Sequence, residues 1–131
     1  MRRAALLLFL FCCGGRSKTI AMNAQNNSGQ DGTATFVELG GGLVDVTEVL
    51  RASAFPGAQA SHIHAGRCDD LREIRFAVSY LDSGFASDGG TVTFHTVVDA
   101  GWEGLFDGDH ALNAHDPRDN FLYVSCGDLT P

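Results

Sequence analysis

The chain has 131 residues, of which 44% are hydrophobic, which is enough for one domain with a core of its own. Its 16 glycines and 3 prolines are typical of a turn-rich β protein rather than a disordered chain. The formal net charge of −7, without any basic stripe, excludes nucleic acid as a partner and disfavours anionic lipid.

Residues 1–17 are predicted to be an export signal. Arg2 and Arg3 form a charged start, and an apolar run follows from Ala4 to Cys13. A run of about ten apolar residues is too short to span a bilayer but is typical of a signal peptide. We therefore expect residues 18–131 to fold as one domain in the periplasm or outside the cell, without a transmembrane span.

Cys12 and Cys13 leave the processing of this signal open. In a bacterial lipoprotein, a cysteine at this place becomes the lipid-bearing N-terminus and anchors the domain to a membrane. The residue before Cys12 is Phe11, where a small residue is preferred. The alternative is an ordinary signal peptide with two incidental cysteines.

Short runs of β-forming residues alternate with glycine-rich breaks, and no internal repeat is visible. Strands are predicted at Lys18–Ala24, Thr33–Leu39, Leu43–Ala52, around His62, and at Ile74–Leu81, Thr91–Val98, Ala111–His115 and Phe121–Cys126. In the third strand, Glu48 alternates onto the same face as Val46 and Leu50. A loop is predicted over Ala65–Glu73 and a helical turn within Asp99–Gly108. About eight strands with almost no helix predict an all-β antiparallel Greek-key sandwich or barrel.

The segment S-H-I-H-A-G-R-C is the most informative stretch of the chain. If it is a strand, its period of two puts His62 and His64 on one face and Ile63 on the other. Two histidines at this spacing can bind one metal ion from a stiff backbone. The pair alone is a weak signal, but a third histidine, His115, and a second cysteine, Cys126, follow in the same order near the C-terminus.

Three motifs carry a family resemblance: H-I-H-x-G-x-C from His62, N-A-H-D from Asn113 and V-S-C-G-D from Val124. With the Q-N-x-S-G-Q-x-G-x-A opening at Gln25, they resemble the copper–zinc superoxide dismutase family. More closely, the chain is similar to small secreted bacterial proteins that share the superoxide-dismutase-like architecture. The resemblance covers residues 18–129, nearly all of the predicted domain.

The resemblance implies that His62, His64 and His115 bind one copper ion. Imidazole suits copper and zinc, and Cu(II) is the divalent first-row ion bound most tightly. Three histidines and a water molecule also suit zinc, so zinc is an alternative. The further alternative is that no metal binds and the histidines only form hydrogen bonds. His95 and His110 are expected to be surface histidines outside the site.

The resemblance also implies a disulfide between Cys68 and Cys126. These are the two cysteines left in the exported domain, where a pair is most simply oxidised. Two buried free thiols are the alternative.

The chain departs from the dismutase pattern in several places. No histidine lies between Cys68 and Phe94 to bridge two metals, and the zinc-binding loop is missing. Tyr123 stands where the family carries the arginine that guides superoxide, and Arg67 or Arg118 would have to substitute. An acidic domain also repels the superoxide anion.

We therefore expect an exported, disulfide-linked protein that holds copper, delivers it or performs modest redox chemistry. A copper-only superoxide dismutase is one alternative, and a metal-free structural or surface-interaction module is another. The sequence leaves the oligomeric state and the physiological partner open.

Overall fold

The computed structural model describes residues 15–81 and 90–131. Residues 1–14 of the predicted signal, including the candidate lipidation sites Cys12 and Cys13, lie outside these ranges, so the processing of the N-terminus stays a prediction. Within the described ranges, no helix is long and apolar enough to cross a membrane.

The fold is all-β, as predicted, and its strands are antiparallel. The elements are β1 (Ser17–Ala24), β2 (Gly32–Gly40), β3 (Leu43–Arg51), β4 (Gln59–Arg67), β5 (Asp70–Leu81), β6 (Thr91–Asp99), α1 (Trp102–Leu105), β7 (His110–Asp116) and β8 (Asp119–Leu129). The predicted helical turn is α1, which is one turn long and buries Leu105.

The strands form one curled sheet in the order β5-β4-β7-β8-β1-β2-β3-β6. β1 pairs with β8 only through Asn23 and Ala24, so the sheet divides into a front half (β5, β4, β7, β8) and a back half (β1, β2, β3, β6). The two edge strands of the sheet, β5 and β6, approach each other on the side opposite the β1–β8 junction. The β3–β4 and β6–β7 connections pass between the halves, which gives a Greek-key sandwich that is nearly a barrel.

The turn between β4 and β5 is shorter than the predicted loop over Ala65–Glu73. β4 continues to Arg67 and β5 begins at Asp70, so only two residues form the turn. Gly66 makes this tight return feasible, since its φ is +93° and a Cβ atom there would lie 2.2 Å from the carbonyl oxygen of Asp70. The strands on both sides therefore extend through most of the segment that was predicted to be a loop.

Apolar side chains from the two halves fill the space between them. The largest fully buried ones are Met22, Phe36, Leu50, Phe94, Ile63, Leu105, Leu112 and Leu129. In β1, β2, β3 and β6 they alternate with more exposed residues, as the period of two requires. Each such side chain stabilises the fold by about 1.5–3 kcal/mol.

One ionisable side chain lies inside this core. Glu48 of β3 is fully buried on the apolar face, and the Ser61 hydroxyl of β4 forms a hydrogen bond with its Oε2 atom. Oε1 has no hydrogen-bond partner in the described part of the chain. Burial raises the pKa of Glu48 from 4.5 to about 7, and the bond to Ser61 opposes the rise in part.

We predict that Glu48 makes the unfolding free energy fall as pH rises. Its folded pKa lies above its unfolded pKa, so its stabilising contribution is complete below about pH 4.5 and is lost as pH rises through about 7. Relative to Glu48→Gln, the wild-type protein should lose about 3 kcal/mol across this interval. Urea denaturation at a series of pH values measures it, and parallel pH profiles of the two proteins would contradict it.

Candidate metal centre

The three predicted histidines come together on the outer face of the front half. In β4, Ile63 points into the core and is fully buried, so His62 and His64 point outward. β7 lies beside β4 and carries His115. The ring centroids of His62 and His115 are 4.8 Å apart, and that of His64 is 5.9 and 6.0 Å from them.

One ring nitrogen from each histidine converges on a common point. The three nitrogens lie within 4.8 Å of one another, and His62 Nδ1 is 2.8 Å from His115 Nε2. No other group of three His, Cys, Asp or Glu side chains converges in this way within residues 15–81 and 90–131. His62 is half-buried, whereas His64 and His115 are only 4% and 5% exposed.

Backbone carbonyls fix the orientation of two of the rings. His64 Nδ1 is 2.7 Å from the carbonyl oxygen of Arg72, and His115 Nδ1 is 2.7 Å from that of Asn120. A carbonyl oxygen only accepts, so both Nδ1 atoms carry the proton and both Nε2 atoms present a lone pair. His64 Nε2 is buried and has no partner among the described residues. Metal-binding histidines are commonly held by this type of outer contact.

His62 faces His115 with Nδ1, whereas His64 and His115 present Nε2. Its Nδ1 faces the lone pair of His115 Nε2, so the contact between them requires a proton on His62 Nδ1. A metal ion bound by both rings would displace that proton to His62 Nε2. The 2.8 Å between the two nitrogens is the length of a hydrogen bond in the metal-free protein. The three ligand nitrogens lie up to 4.8 Å apart. Two ligands on opposite sides of one ion, each about 2.0 Å from it, are only about 4.0 Å apart. A ring shift of about 1 Å would therefore complete the site.

The surroundings favour the neutral form of two of the rings. Burial, together with charge repulsion from His115 and His64, lowers the pKa of His62 to about 4. Burial also lowers the pKa of His115, against the bond to Asn120. A neutral imidazole is the form that binds metal, so protons compete weakly for His62 above about pH 5.

Tyr123 of β8 borders the site. The Tyr123 ring lies edge-on to the rings of His115 and His64, with centroids 5.2 and 6.1 Å away. The described ring contacts of the site with β8 are therefore with an uncharged aromatic side chain.

The two arginines considered as substitutes for a guiding arginine are each paired with a carboxylate. Arg67 binds Asp128 at 2.9 Å. Arg118 binds Asp116 at 2.8 Å, and its guanidinium lies 3.4 Å from the centroid of the Phe55 ring. None of their described contacts is with a site histidine.

His95 and His110 lie apart from the cluster, as predicted. His95 is exposed on β6 of the back half and bonds Asp45 at 2.7 Å. His110 begins β7, is half-buried and bonds Asp107 at 3.0 Å. The structure thus sorts the five histidines into one cluster of three and two separate ones.

A disulfide joins Cys68 and Cys126, as predicted, with Cα atoms 5.8 Å apart. Cys68 forms the turn after β4, and its backbone N–H donates to Asp128 at 2.8 Å. Cys126 pairs with Asn113 of β7 and with Asn23 of β1. The bridge therefore holds the end of the histidine strand against β8, next to the junction of the two halves.

The anchoring contacts of the site were not predicted from the sequence. The groups that bind His64 and His115 are backbone carbonyls, which every residue possesses, so the residue types Arg72 and Asn120 give no signal. The contact of Tyr123 with two histidine rings could have been found, because Tyr123 pairs with His115 between β8 and β7.

No family model, no curated protein and no solved structure matches this chain. The identification of the site therefore depends on its geometry.

We predict that Cys68→Ser lowers stability and metal uptake together. The bridge closes a 58-residue separation, so its loss should cost about 4 kcal/mol of unfolding free energy. The turn after His64 would also move more freely. Urea denaturation and metal titration measure the two effects. Cys126→Ser breaks the same bridge from its other end and should give the same result. Wild-type stability in Cys68→Ser would show that the bridge is not a major constraint.

Proposed function

We propose that the protein binds one copper ion through His62 Nδ1, His64 Nε2 and His115 Nε2. The convergence of these three nitrogens supports the proposal. Two of the rings are already held in the tautomer that presents Nε2, and the pKa of His62 is depressed. The site is therefore ready to bind a metal ion near neutral pH with little loss of side-chain freedom.

The ligand set favours copper over other ions. It contains only imidazole nitrogens, without the oxygen ligands that Mg²⁺ and Ca²⁺ require. Among divalent ions, Cu(II) is bound most tightly by nitrogen ligands.

The biological role we propose is to hold or deliver copper outside the cytoplasm. A disulfide fits an oxidising compartment, and the motifs resemble those of secreted superoxide-dismutase-like proteins. The Tyr123 ring of β8 lies against two of the histidine rings, and Arg67 and Arg118 are paired with carboxylates. These features give superoxide no local attraction, so copper holding is favoured over dismutation.

Titration of the apoprotein with Cu(II) should give one ion per chain and a paramagnetic resonance spectrum with nitrogen ligands. His62→Ala, His64→Ala and His115→Ala should each lose most of this binding, because two imidazoles hold the ion far more weakly than three. His95→Ala and His110→Ala are the matched controls and should bind as wild type. A stoichiometry near zero, or equal binding in the triple variant, would refute the proposal. Tighter binding of Zn(II) than of Cu(II) would identify zinc instead.

The copper-loaded protein should remove superoxide no faster than free copper at equal concentration. The reason is the negative net charge and the absence of an unpaired cation beside the described site. Stopped-flow decay of superoxide measures the rate. A rate well above that of free copper, lost in His115→Ala, would establish a copper-only dismutase.

A further inference from the structure

Glu48 reaches across the core to the strand that carries two of the histidines. Its neighbours in the back half are Ala34 of β2 and Phe94 of β6, both fully buried and uncharged. In the front half it meets Ser61 of β4. No charged group of the described residues contributes to its pKa shift, which arises from burial and from Ser61.

Both contacts of the Ser61 hydroxyl can be hydrogen bonds at the same time only if Glu48 is protonated. The hydroxyl lies against Glu48 Oε2 and is 3.1 Å from the carbonyl oxygen of Asn113. A hydroxyl has one proton, so it cannot donate to a carboxylate and to a carbonyl together. If Glu48 is a neutral acid, it donates to Ser61, and Ser61 donates to Asn113. The bare Oε1 atom is then part of a neutral group, which costs less to bury than a charged one.

This chain of hydrogen bonds ends at the backbone that positions the metal ligands. Ser61 directly precedes His62 in β4, and Asn113 is the cross-strand partner of His62 in β7. Asn113 also lies two residues before His115. The 2.8 Å approach of His62 to His115 therefore depends on the spacing of β4 and β7 at the point that Ser61 bridges.

We propose that Glu48, as a neutral carboxylic acid, is a positioning residue for the metal centre of the metal-free protein. It donates a hydrogen bond to Ser61, which in turn donates to the Asn113 carbonyl and holds β4 and β7 together behind the histidines. The inference rests on the proposed function for its purpose, although the hydrogen-bond chain can be tested without metal. Once Glu48 ionises, Ser61 donates to the carboxylate and Asn113 loses its donor.

Infrared spectroscopy of the apoprotein tests the neutral acid directly. Wild-type protein at pH 6 should show the carbonyl stretch of a buried protonated carboxyl group, and Glu48→Gln should lack it. Absence of this band from wild type would overturn the proposal.

The effect on the histidines is read from the imidazole ¹⁵N resonances of His62 and His115 in the apoprotein. Gln donates to Ser61 as the neutral acid does, so wild type and Glu48→Gln should agree at pH 6. At pH 8.5, wild type should shift away from Glu48→Gln, which does not titrate. Ser61→Ala should be displaced at both pH values. Coincident resonances of wild type and Glu48→Gln at both pH values would refute positioning by Glu48.

Copper binding provides the last measurement. Loss of one hydrogen bond of about 1 kcal/mol should make Ser61→Ala bind Cu(II) about fivefold more weakly at pH 6. Ser125→Ala, which removes another buried serine of the front half, should bind as wild type. If no variant binds copper but the infrared and ¹⁵N results hold, only the proposed function fails. If copper binds equally to wild type and Ser61→Ala, the positioning role fails.

Discussion

The pairing of β4 with β7 is the constraint on which the candidate metal centre depends. His62 lies 53 residues before His115 in the sequence, and the Greek-key return of β7 beside β4 brings the histidines together. Contacts on both faces of the front half maintain this pairing. On the outer face the disulfide holds the end of β4 to β8, and inside the core Ser61 links β4 to the backbone of β7.

A second constraint is electrostatic and follows from the first. Burial and the charge repulsion between neighbouring imidazoles disfavour the protonated forms of His62 and His115, and the pKa of each is lowered. Carbonyl acceptors then select one tautomer for His64 and His115. The packing that forms the cluster therefore also favours the neutral form of His62 and His115, which is the form in which an imidazole binds a metal ion.

Most of the fold and the composition of the site could be predicted from the sequence, because both follow from local patterns. Alternation in β4 placed His62 and His64 on one face, and alternation in β3 placed Glu48 on the apolar face. The anchors could not be predicted, since the carbonyl oxygens of Arg72 and Asn120 act through backbone geometry. The short turn at Cys68 was also missed, because it depends on the unusual conformation of Gly66.

A cation bound on one face of β4 would be attracted by an ionised carboxyl group on the other. Glu48 lies behind this strand inside the core, and a cation held by His62 and His64 would lie in front of it. Attraction between a carboxylate and a cation lowers the pKa of the carboxyl group, and by linkage the ionised carboxyl group strengthens cation binding. The neutral acid thus suits the metal-free site, where hydrogen bonds must maintain the strand spacing. After metal binding, the histidines themselves connect β4 to β7, and the bond from Ser61 to Asn113 is no longer needed to hold them.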